Sequence, residues 1–282
     1  MGLNAKLNPA AAQGNSNGVT HSRVLLNLER VNQWPAPVLD FLEQHYELLD
    51  RWEIGAPGRD PRAYDQAIYG LRDILDSYAI TGWHCTRLTT QEIANIEATG
   101  LQLPNAAVLH DRIDRLILDR QLAPELALQL KCRNQAADDN RAGRVWFCFF
   151  PPQAAGERGI ERFFRHWGGE ALYNSHEDDP ITSLALQAIG IPALIEADIP
   201  IDALAKHGGL TFKVVRRYLI HKGLHTREPV EHADQVMHPL PAAFIRRVIR
   251  FPELDFMTLT GCAQWQTPLA VFQGVAARAF LD

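Results

Sequence analysis

A short apolar segment in the first third of the chain carries two polar side chains that could bind a ligand. The segment reads TGWHCTRL, residues 81–88, and its aromatic and β-branched content is typical of a β-strand. Because successive side chains of a strand point to opposite faces, His84 and Thr86 share one face while Trp83 and Cys85 share the other. An imidazole beside a hydroxyl can hydrogen-bond a polar ligand. The alternative is that His84 is an ordinary residue of a half-buried strand.

Aromatic side chains cluster in a second segment, ERFFRHWGGEALY, residues 161–173. Trp167 and Tyr173 offer rings that can stack on a planar heterocycle. Both residues could equally belong to the hydrophobic core, because Trp167 has the spacing of a buried helix face and Tyr173 comes at a helix end. The segment therefore predicts an aromatic helix, interrupted at Gly168-Gly169, with two candidate stacking residues.

Carboxylates occur late in the chain, just before a proline-containing turn, in EPVEHADQVMHPLP, residues 228–241. A carboxylate can stabilise positive charge that develops during a reaction. Glu231 is the first candidate for such a role, Asp234 the second and Glu228 the third. Glu231 could instead simply face water.

Several common catalytic signatures are absent from the sequence. It has no dinucleotide-binding glycine pattern, no phosphate-binding P-loop, no H-E-x-x-H metal helix and no G-x-S-x-G elbow. The run NSHEDDP, residues 174–180, could offer ligands to a cation, but we interpret it as an acidic loop that ends the preceding helix. No metal is expected in the candidate site.

Net charge, cysteine spacing and the length of apolar runs disfavour several classes of protein for this chain. The 282 residues carry a formal net charge of −5, which disfavours a general role in nucleic-acid binding. The four cysteines, at positions 85, 132, 148 and 262, show neither a C-x-x-C motif nor zinc-ligand spacing, so we expect free thiols in a reducing cytoplasm. No apolar run reaches the length of a membrane span, and no membrane partner is expected.

The elements that must position these side chains fall into three parts. Residues 1–20 are poor in large apolar groups and predict a flexible tail. Residues 21–80 predict a helical segment, since apolar positions recur at three-to-four spacing in PVLDFLEQHYELLDRW (37–52) and after Asp60-Pro61. Residues 81–282 then form the main domain.

The main domain mixes strands with helices. After the strand at 81–88, a helix begins at Thr89 or Thr90 and ends at Gly100, and two further helices are separated near Ala123-Pro124. The strands predicted after these helices span residues 144–150, 192–201 and 210–220, and a strand or helix follows at 239–251. Strands without a regular βαβ rhythm predict an α+β domain.

The order of the three candidate groups resembles the NAD-dependent ADP-ribosyltransferase superfamily, in its His-Tyr-Glu branch. WHCTRL resembles the early strand with its His, VWFCFF and the aromatic helix are similar to the middle block, and EHADQVMHPLPAAFIRRVI resembles the ending. The resemblance covers about residues 82–252. It implies a split mixed sheet and NAD as the substrate, cleaved through an oxocarbenium-like state.

The resemblance also implies a role for each candidate residue. His84 and Thr86 would bind the adenosine ribose, and Arg87 would meet the pyrophosphate. Trp167 and Tyr173 would stack on the nicotinamide ring. Glu231 or Asp234 would stabilise the positive charge on the ribose. The acceptor could be a protein, a nucleic acid or a small molecule.

Two other functions stay open. One is an RNA 2′-phosphotransferase on the same fold, which would use the arginines of two basic clusters, Arg216, Arg217, Arg246 and Arg247. The other is a non-catalytic interaction protein that binds its partner through the N-terminal helical segment.

Overall fold

A six-stranded sheet forms the centre of the fold, and helices cover both of its faces. The computed structural model describes residues 23–205, 209–226 and 231–269. The strands are β1 (Leu25–Leu26), β2 (Ala79–Leu88), β3 (Val145–Cys148), β4 (Ile191–Pro200), β5 (Ala233–Val236) and β6 (Ile245–Arg250). The helices are α1 (Ala36–Gln44), α2 (Tyr46–Glu53), α3 (Pro61–Leu75), α4 (Thr90–Thr99), α5 (Ala106–Leu118), α6 (Pro124–Cys132), α7 (Gly156–Arg165), α8 (Glu170–His176), α9 (Pro180–Ala188), α10 (Leu210–His221) and α11 (Leu254–Thr260). The architecture is α+β, which confirms the coarse part of the predicted fold class.

Strand β2 lies at the centre of the sheet, whose order is β5-β3-β2-β4-β6. These neighbours are antiparallel, whereas β1 runs parallel to the first residues of β2, so the sheet is mixed. Strand β4 pairs with β2 along its whole length, from Ala79 to Leu88. Because β2 is central and covered on both faces, its polar side chains need hydrogen-bond partners inside the protein or a ligand.

Helices α1, α3 and α10 cover the face of the sheet to which His84 belongs. The helix α3 begins at Asp60, whose carboxylate accepts hydrogen bonds from the next amides, with Pro61 in the first turn as the sequence predicts. Leu71 of α3 and Val214 of α10 belong to the same buried cluster as Ile195 of β4. The N-terminal helices and the sheet therefore share one hydrophobic core.

Helices α7 and α11 cover the opposite face. Ile160 and Phe164 of α7 and Phe256 of α11 pack against Trp83 of β2 and Leu194 of β4. A separate apolar cluster joins α5, α6, α8 and α9 and includes the buried Trp167. Phe163 and Phe164 of the aromatic segment thus pack on the face opposite to His84, whereas Trp167 belongs to the separate cluster.

The connection from β2 to α4 follows the prediction closely. Thr89 caps α4, and its hydroxyl accepts from the Glu92 amide while the Glu92 carboxylate accepts from the Thr89 amide. The helix ends at Gly100, which has a φ of +89°. A Cβ at this position would lie 2.0 Å from the carbonyl oxygen of Leu240, so only glycine allows the chain to approach this closely.

One element was predicted wrongly. Residues 210–220 were expected to form a strand, but they lie in the helix α10. Its buried residues follow the helical period, at positions Leu210, Val214, Val215, Tyr218 and Leu219. The valines and aromatic residues of LTFKVVRRYLI favour a strand locally, and the burial of one helical face overrides that preference.

The other predicted strands and helices are present where the structure describes them. The sequence did not predict β1, α9 or α11, and residues 174–176 of the predicted acidic loop lie in α8. Pro124 opens α6 and separates it from α5, and β6 occupies the segment that could have been strand or helix. The predicted tail, residues 1–20, lies outside the described residues. Within the described residues, every helix is either too short or too polar to pass through a bilayer.

Candidate functional site

The candidate site is the place where the regular pairing of β2 with β3 is interrupted; we call this interruption of the strand ladder the β2–β3 opening and define it by His84, Thr86, Trp146 and Phe147. Only one residue pair, Trp83 with Cys148, joins the two strands in regular register. Next to that pair, the His84 imidazole donates a hydrogen bond to the Trp146 carbonyl at 2.8 Å. A side-chain donor therefore replaces a backbone amide between the two strands. The β2–β3 opening therefore has an imidazole at its edge, with the Phe147 ring 5.8 Å away.

The contact with Trp146 fixes the tautomer of His84. A carbonyl oxygen can only accept, so Nδ1 carries the proton and Nε2 is a hydrogen-bond acceptor. Burial lowers the pKa of His84, the bond to Trp146 opposes this, and the charge of Arg112 lowers the pKa further. The ring is thus neutral near pH 7. It is partly exposed, and Nε2 makes no hydrogen bond to any described residue.

Thr86 is the second polar group on this face of β2. Its side chain is partly buried, and within the part of the chain that the structure describes its hydroxyl has no hydrogen-bond partner. The other positions of the same face are Ile80, Gly82 and Leu88, which offer no polar side chain. His84 and Thr86 are therefore two neighbouring polar groups with bonding capacity left over on an otherwise apolar strand face.

Arg87 lies on the other face of β2 and is fully engaged. Its guanidinium is buried, with 3% of the residue exposed. It donates to four carbonyl oxygens, those of Ile189 at 2.6 Å, Phe164 at 3.0 Å, Gln187 at 2.5 Å and Gly190 at 2.9 Å. Burial lowers the pKa of Arg87 to about 10. The structure places this residue in a cage of carbonyls, away from the surface and from His84.

Trp167 is also buried, within the cluster between α5 and α8. Its Nε1 donates to the Glu92 carboxylate at 3.0 Å, and the guanidinium of Arg112 stacks on its ring at 4.5 Å. Arg112 in turn donates to Glu92 at 2.6 Å. Burial alone would raise the pKa of Glu92, but the Arg112 charge and the hydrogen bonds from the Thr89 amide and Trp167 hold it below its usual value.

Arg112 is the residue near the site that sequence reasoning missed. It lies on α5 and is partly exposed, with its Nε directed to Glu92. Its charge acts on the pKa of His84, which places a cation within electrostatic range of the β2–β3 opening. Nothing in the helical pattern of α5 distinguishes Arg112 from the other surface charges of that helix, because the packing of α5 beside α4 is a tertiary feature.

Tyr173 lies on α8, and its ring is 5.9 Å from that of Phe163, which packs on the sheet face opposite to His84. The hydroxyl donates to Glu170 at 3.2 Å, and the guanidinium of Arg162 covers the ring at 4.1 Å. Burial, reinforced by the Glu170 charge, raises the pKa of Tyr173. The structure therefore does not bring Tyr173 together with His84.

The two candidate carboxylates have different surroundings. Asp234 of β5 pairs with Phe147 of β3, so it shares the sheet face of His84, two strands away. Asp234 is fully buried, and its Oδ1 accepts from the Gln235 amide at 2.7 Å. Glu231 precedes β5 and is exposed, and its charge opposes the lowering of the pKa of Cys148, whose side chain belongs to the opposite face. Glu228 lies outside the described residues.

The acidic run at 174–180 has structural roles. Asp179 caps α9, where its carboxylate accepts from the amides of Ile181 and Thr182. His176 is buried and bonds both the Thr182 hydroxyl and the Arg133 carbonyl. Among the described residues, no group of three or more His, Cys, Asp or Glu side chains is arranged to hold a metal ion.

Comparison of the chain with protein-family models, with curated proteins and with solved structures returned no match. The geometry of the β2–β3 opening is therefore the basis for a functional proposal.

Proposed function

We propose that the protein is an NAD-cleaving ADP-ribosyltransferase that binds its substrate at the β2–β3 opening. One observation carries the proposal: His84 and Thr86, side by side on a buried strand, both keep unused hydrogen-bonding capacity. Both side chains are partly exposed, and each keeps at least one hydrogen-bonding group without a partner among the described residues, which suits a ligand with adjacent hydroxyl groups. Because the order of motifs resembles that of the NAD-dependent ADP-ribosyltransferases, we propose a ribose of NAD as this ligand.

The chemistry of His84 fits this role. Because the Trp146 carbonyl holds the proton on Nδ1, Nε2 presents a lone pair that accepts a hydrogen bond from a ribose hydroxyl. The Thr86 hydroxyl can donate to or accept from the neighbouring ribose oxygen. The lowered pKa of His84 keeps the ring neutral at pH 7, so this acceptor is available there. Arg112 lies within electrostatic range of His84, but it is already bonded to Glu92, so we assign no residue to the diphosphate.

The reaction breaks the bond between nicotinamide and its ribose, and positive charge grows on that ribose. A desolvated carboxylate stabilises such charge better than one in water. We assign this role to Asp234, which shares the face of His84 at about two strand spacings, or roughly 10 Å, and which would act through its charge and not by contact, because it is fully buried. Glu231 is the alternative, since it is exposed and lies by the opposite face.

The fold supports the proposal at a coarse level. The parallel strand β1 makes the sheet mixed, and the single regular pair between β2 and β3 gives it a weak seam beside His84. We propose that this seam corresponds to the split of the ADP-ribosyltransferase sheet. Tyr173 and Trp167 have no ligand contact in this proposal, because internal partners cover their rings.

Release of nicotinamide from NAD tests the proposal. Wild-type protein should release nicotinamide, and Asp234→Asn should abolish release while Glu231→Gln retains it. His221→Ala, which changes an exposed histidine of α10, is the matched control for His84→Ala. Loss of release in Glu231→Gln with full activity in Asp234→Asn would transfer the catalytic role to Glu231. Absence of release from wild-type protein with water and every class of acceptor would overturn the proposal.

The two other functions gain no support from the structure. The arginines that an RNA 2′-phosphotransferase would use are already bonded within the protein: Arg216 to Glu53, Arg217 to the Leu28 carbonyl, Arg246 to Glu196 and Asp198, and Arg247 to Glu196 and Asp255. The N-terminal helices, which an interaction protein would offer to a partner, are packed against the sheet.

A further inference from the structure

Two cysteines occupy diagonal positions on β2 and β3, at the weak seam between these strands. Cys85 lies on β2, two residues after Trp83, and Cys148 is the partner of Trp83 on β3. Since the strand period is two, both thiols point to the face opposite to His84. They are diagonal neighbours on adjacent antiparallel strands, at the position where regular pairing of the strands ends.

The two thiols interact directly. Their proximity as diagonal neighbours lowers the pKa of Cys148 and raises that of Cys85. Burial of Cys148 and the charge of Glu231 oppose the lowering. Cys85 is 8% exposed and Cys148 is partly exposed, so a dissolved reagent reaches Cys148 first. Cys148 thus combines access with a neighbouring thiol that stabilises its thiolate.

The other two cysteines have no such arrangement. Cys132 is exposed at the end of α6. Cys262 is buried, and its thiol donates to the Met257 sulfur at 3.4 Å. The described residues therefore contain one exposed and isolated thiol, one buried thiol, and one pair of thiols on diagonal positions of adjacent strands.

We propose that Cys85 and Cys148 are a dithiol modification site that closes to a cross-strand disulfide by exchange with a low-molecular-weight disulfide. The Cys148 thiolate attacks one sulfur of the reagent, and a mixed disulfide forms while the first small thiol leaves. Cys85 then attacks the Cys148 sulfur after losing its proton, and the second small thiol leaves. The protein loses two electrons and two protons, and the reagent becomes two thiols.

The position of the pair makes the disulfide reversible. Diagonal neighbours on antiparallel strands have Cα atoms about 7–8 Å apart. A disulfide joins Cα atoms up to about 7 Å apart, so closure pulls the seam together and stores strain that favours reduction. The bond would tie β3 to β2 on the face behind His84. This inference concerns the thiols alone and is independent of the proposed activity.

Treatment of the full-length protein with oxidised glutathione tests the proposal. The exposed Cys132 would capture glutathione by itself, so Cys132→Ser is the background for all variants. In this background, Cys85 and Cys148 should become resistant to alkylation without a gain of glutathione mass, and a fragment joining the two strands should appear after proteolysis. Excess reduced glutathione should restore both thiols.

Single substitutions separate the two steps. Cys85→Ser in the same background should stop at a mixed disulfide on Cys148, whereas Cys148→Ser should leave Cys85 unmodified. A stable mixed disulfide on Cys148 when Cys85 is present, or no reaction of either thiol, would overturn the proposal.

A trivalent arsenical provides a second measurement, and this one needs no substitution of Cys85 or Cys148. Phenylarsine oxide binds two neighbouring thiols together, so it should protect Cys85 and Cys148 from alkylation in the Cys132→Ser protein and be released by an added dithiol. Alkylation of Cys148 at the same rate with and without the arsenical would show that the thiols do not act together, and the dithiol site would be rejected.

Discussion

His84 and Arg87 lie three residues apart on opposite faces of β2, and they differ in burial and in the number of hydrogen bonds that they make within the protein. Arg87 donates to four carbonyl oxygens and is almost completely buried. His84 uses only Nδ1 and, like Thr86, remains partly exposed. The guanidinium of Arg87 makes all of its hydrogen bonds within the protein. The His84 imidazole and the Thr86 hydroxyl can still form hydrogen bonds with a ligand.

The comparison shows how a structural polar residue can be distinguished from a functional one. A buried group whose bonds are all satisfied internally stabilises the fold, and its removal exposes a defect in the core. A partly exposed group with unsatisfied capacity contributes little to folding, and its removal should affect ligand binding. The predictions that follow test this distinction, beginning with the largest expected effect on stability.

Arg87→Met should be strongly destabilising. The substitution leaves the carbonyls of Ile189, Phe164, Gln187 and Gly190 without their donor, and an unsatisfied buried group costs about 1–3 kcal/mol. We expect a loss of about 3–5 kcal/mol in the free energy of unfolding, measured by urea denaturation. Arg115→Met on the exposed side of α5 is the control. An equal effect in both variants would refute the structural role of Arg87.

Glu92→Gln should have an intermediate effect. The Glu92 carboxylate accepts from the Thr89 amide, from Arg112 and from Trp167, and the amide cannot reproduce its charge or all of these bonds. We expect a loss of about 2 kcal/mol in the free energy of unfolding. Glu97→Gln changes an exposed glutamate of the same helix and should be nearly neutral. If the two variants are equally stable, Glu92 does not link α4 to α5.

The free energy of unfolding should decrease as the pH falls below the pKa of an unperturbed histidine. Burial lowers the pKa values of His84, His166 and His176, so the unfolded chain binds protons that the folded protein does not. The stabilisation is present above a pH of about 6.5 and is lost as the pH falls further. Denaturation at pH 7.5 and 5.5 should show a loss of about 1 kcal/mol or more. His176→Gln should reduce this slope and His221→Gln should not; a flat wild-type profile would contradict the prediction.

His84→Ala and Thr86→Val should have the smallest effects on stability. His84 loses one hydrogen bond to the Trp146 carbonyl, which is worth about 1 kcal/mol, and Thr86 loses none. Urea denaturation should therefore place both variants within about 1 kcal/mol of the wild type. A loss as large as that of Arg87→Met would make His84 a structural residue and would remove the contrast between the two faces of β2.

Local rules explain which parts of this structure the sequence predicts. The boundary from β2 to α4 follows from Thr89, Glu92 and Gly100, whose capping and helix-stop roles depend only on nearby residues. The segment that became α10 carries strand-forming residues on a helical period, and only its packing against the N-terminal helices decides between the two.

The candidate site depends more on tertiary structure than on local pattern. The strand period predicts that His84 and Thr86 share one face of β2. It also predicts that Cys85 and Arg87 share the opposite face. It does not reveal that Arg87 meets the carbonyls after α9, since those lie about a hundred residues further along the chain. The separation of Tyr173 from His84 likewise follows from helix packing on opposite faces, which motif order along the chain does not contain.

Calorimetric titration of NAD into the protein tests the central claim most directly. We predict saturable binding to the wild type and to His221→Ala, and binding at least tenfold weaker to a His84→Ala/Thr86→Val variant that remains folded. No binding to the wild type, or equal affinity in all three proteins, would contradict the claim that His84 and Thr86 form a nucleotide site.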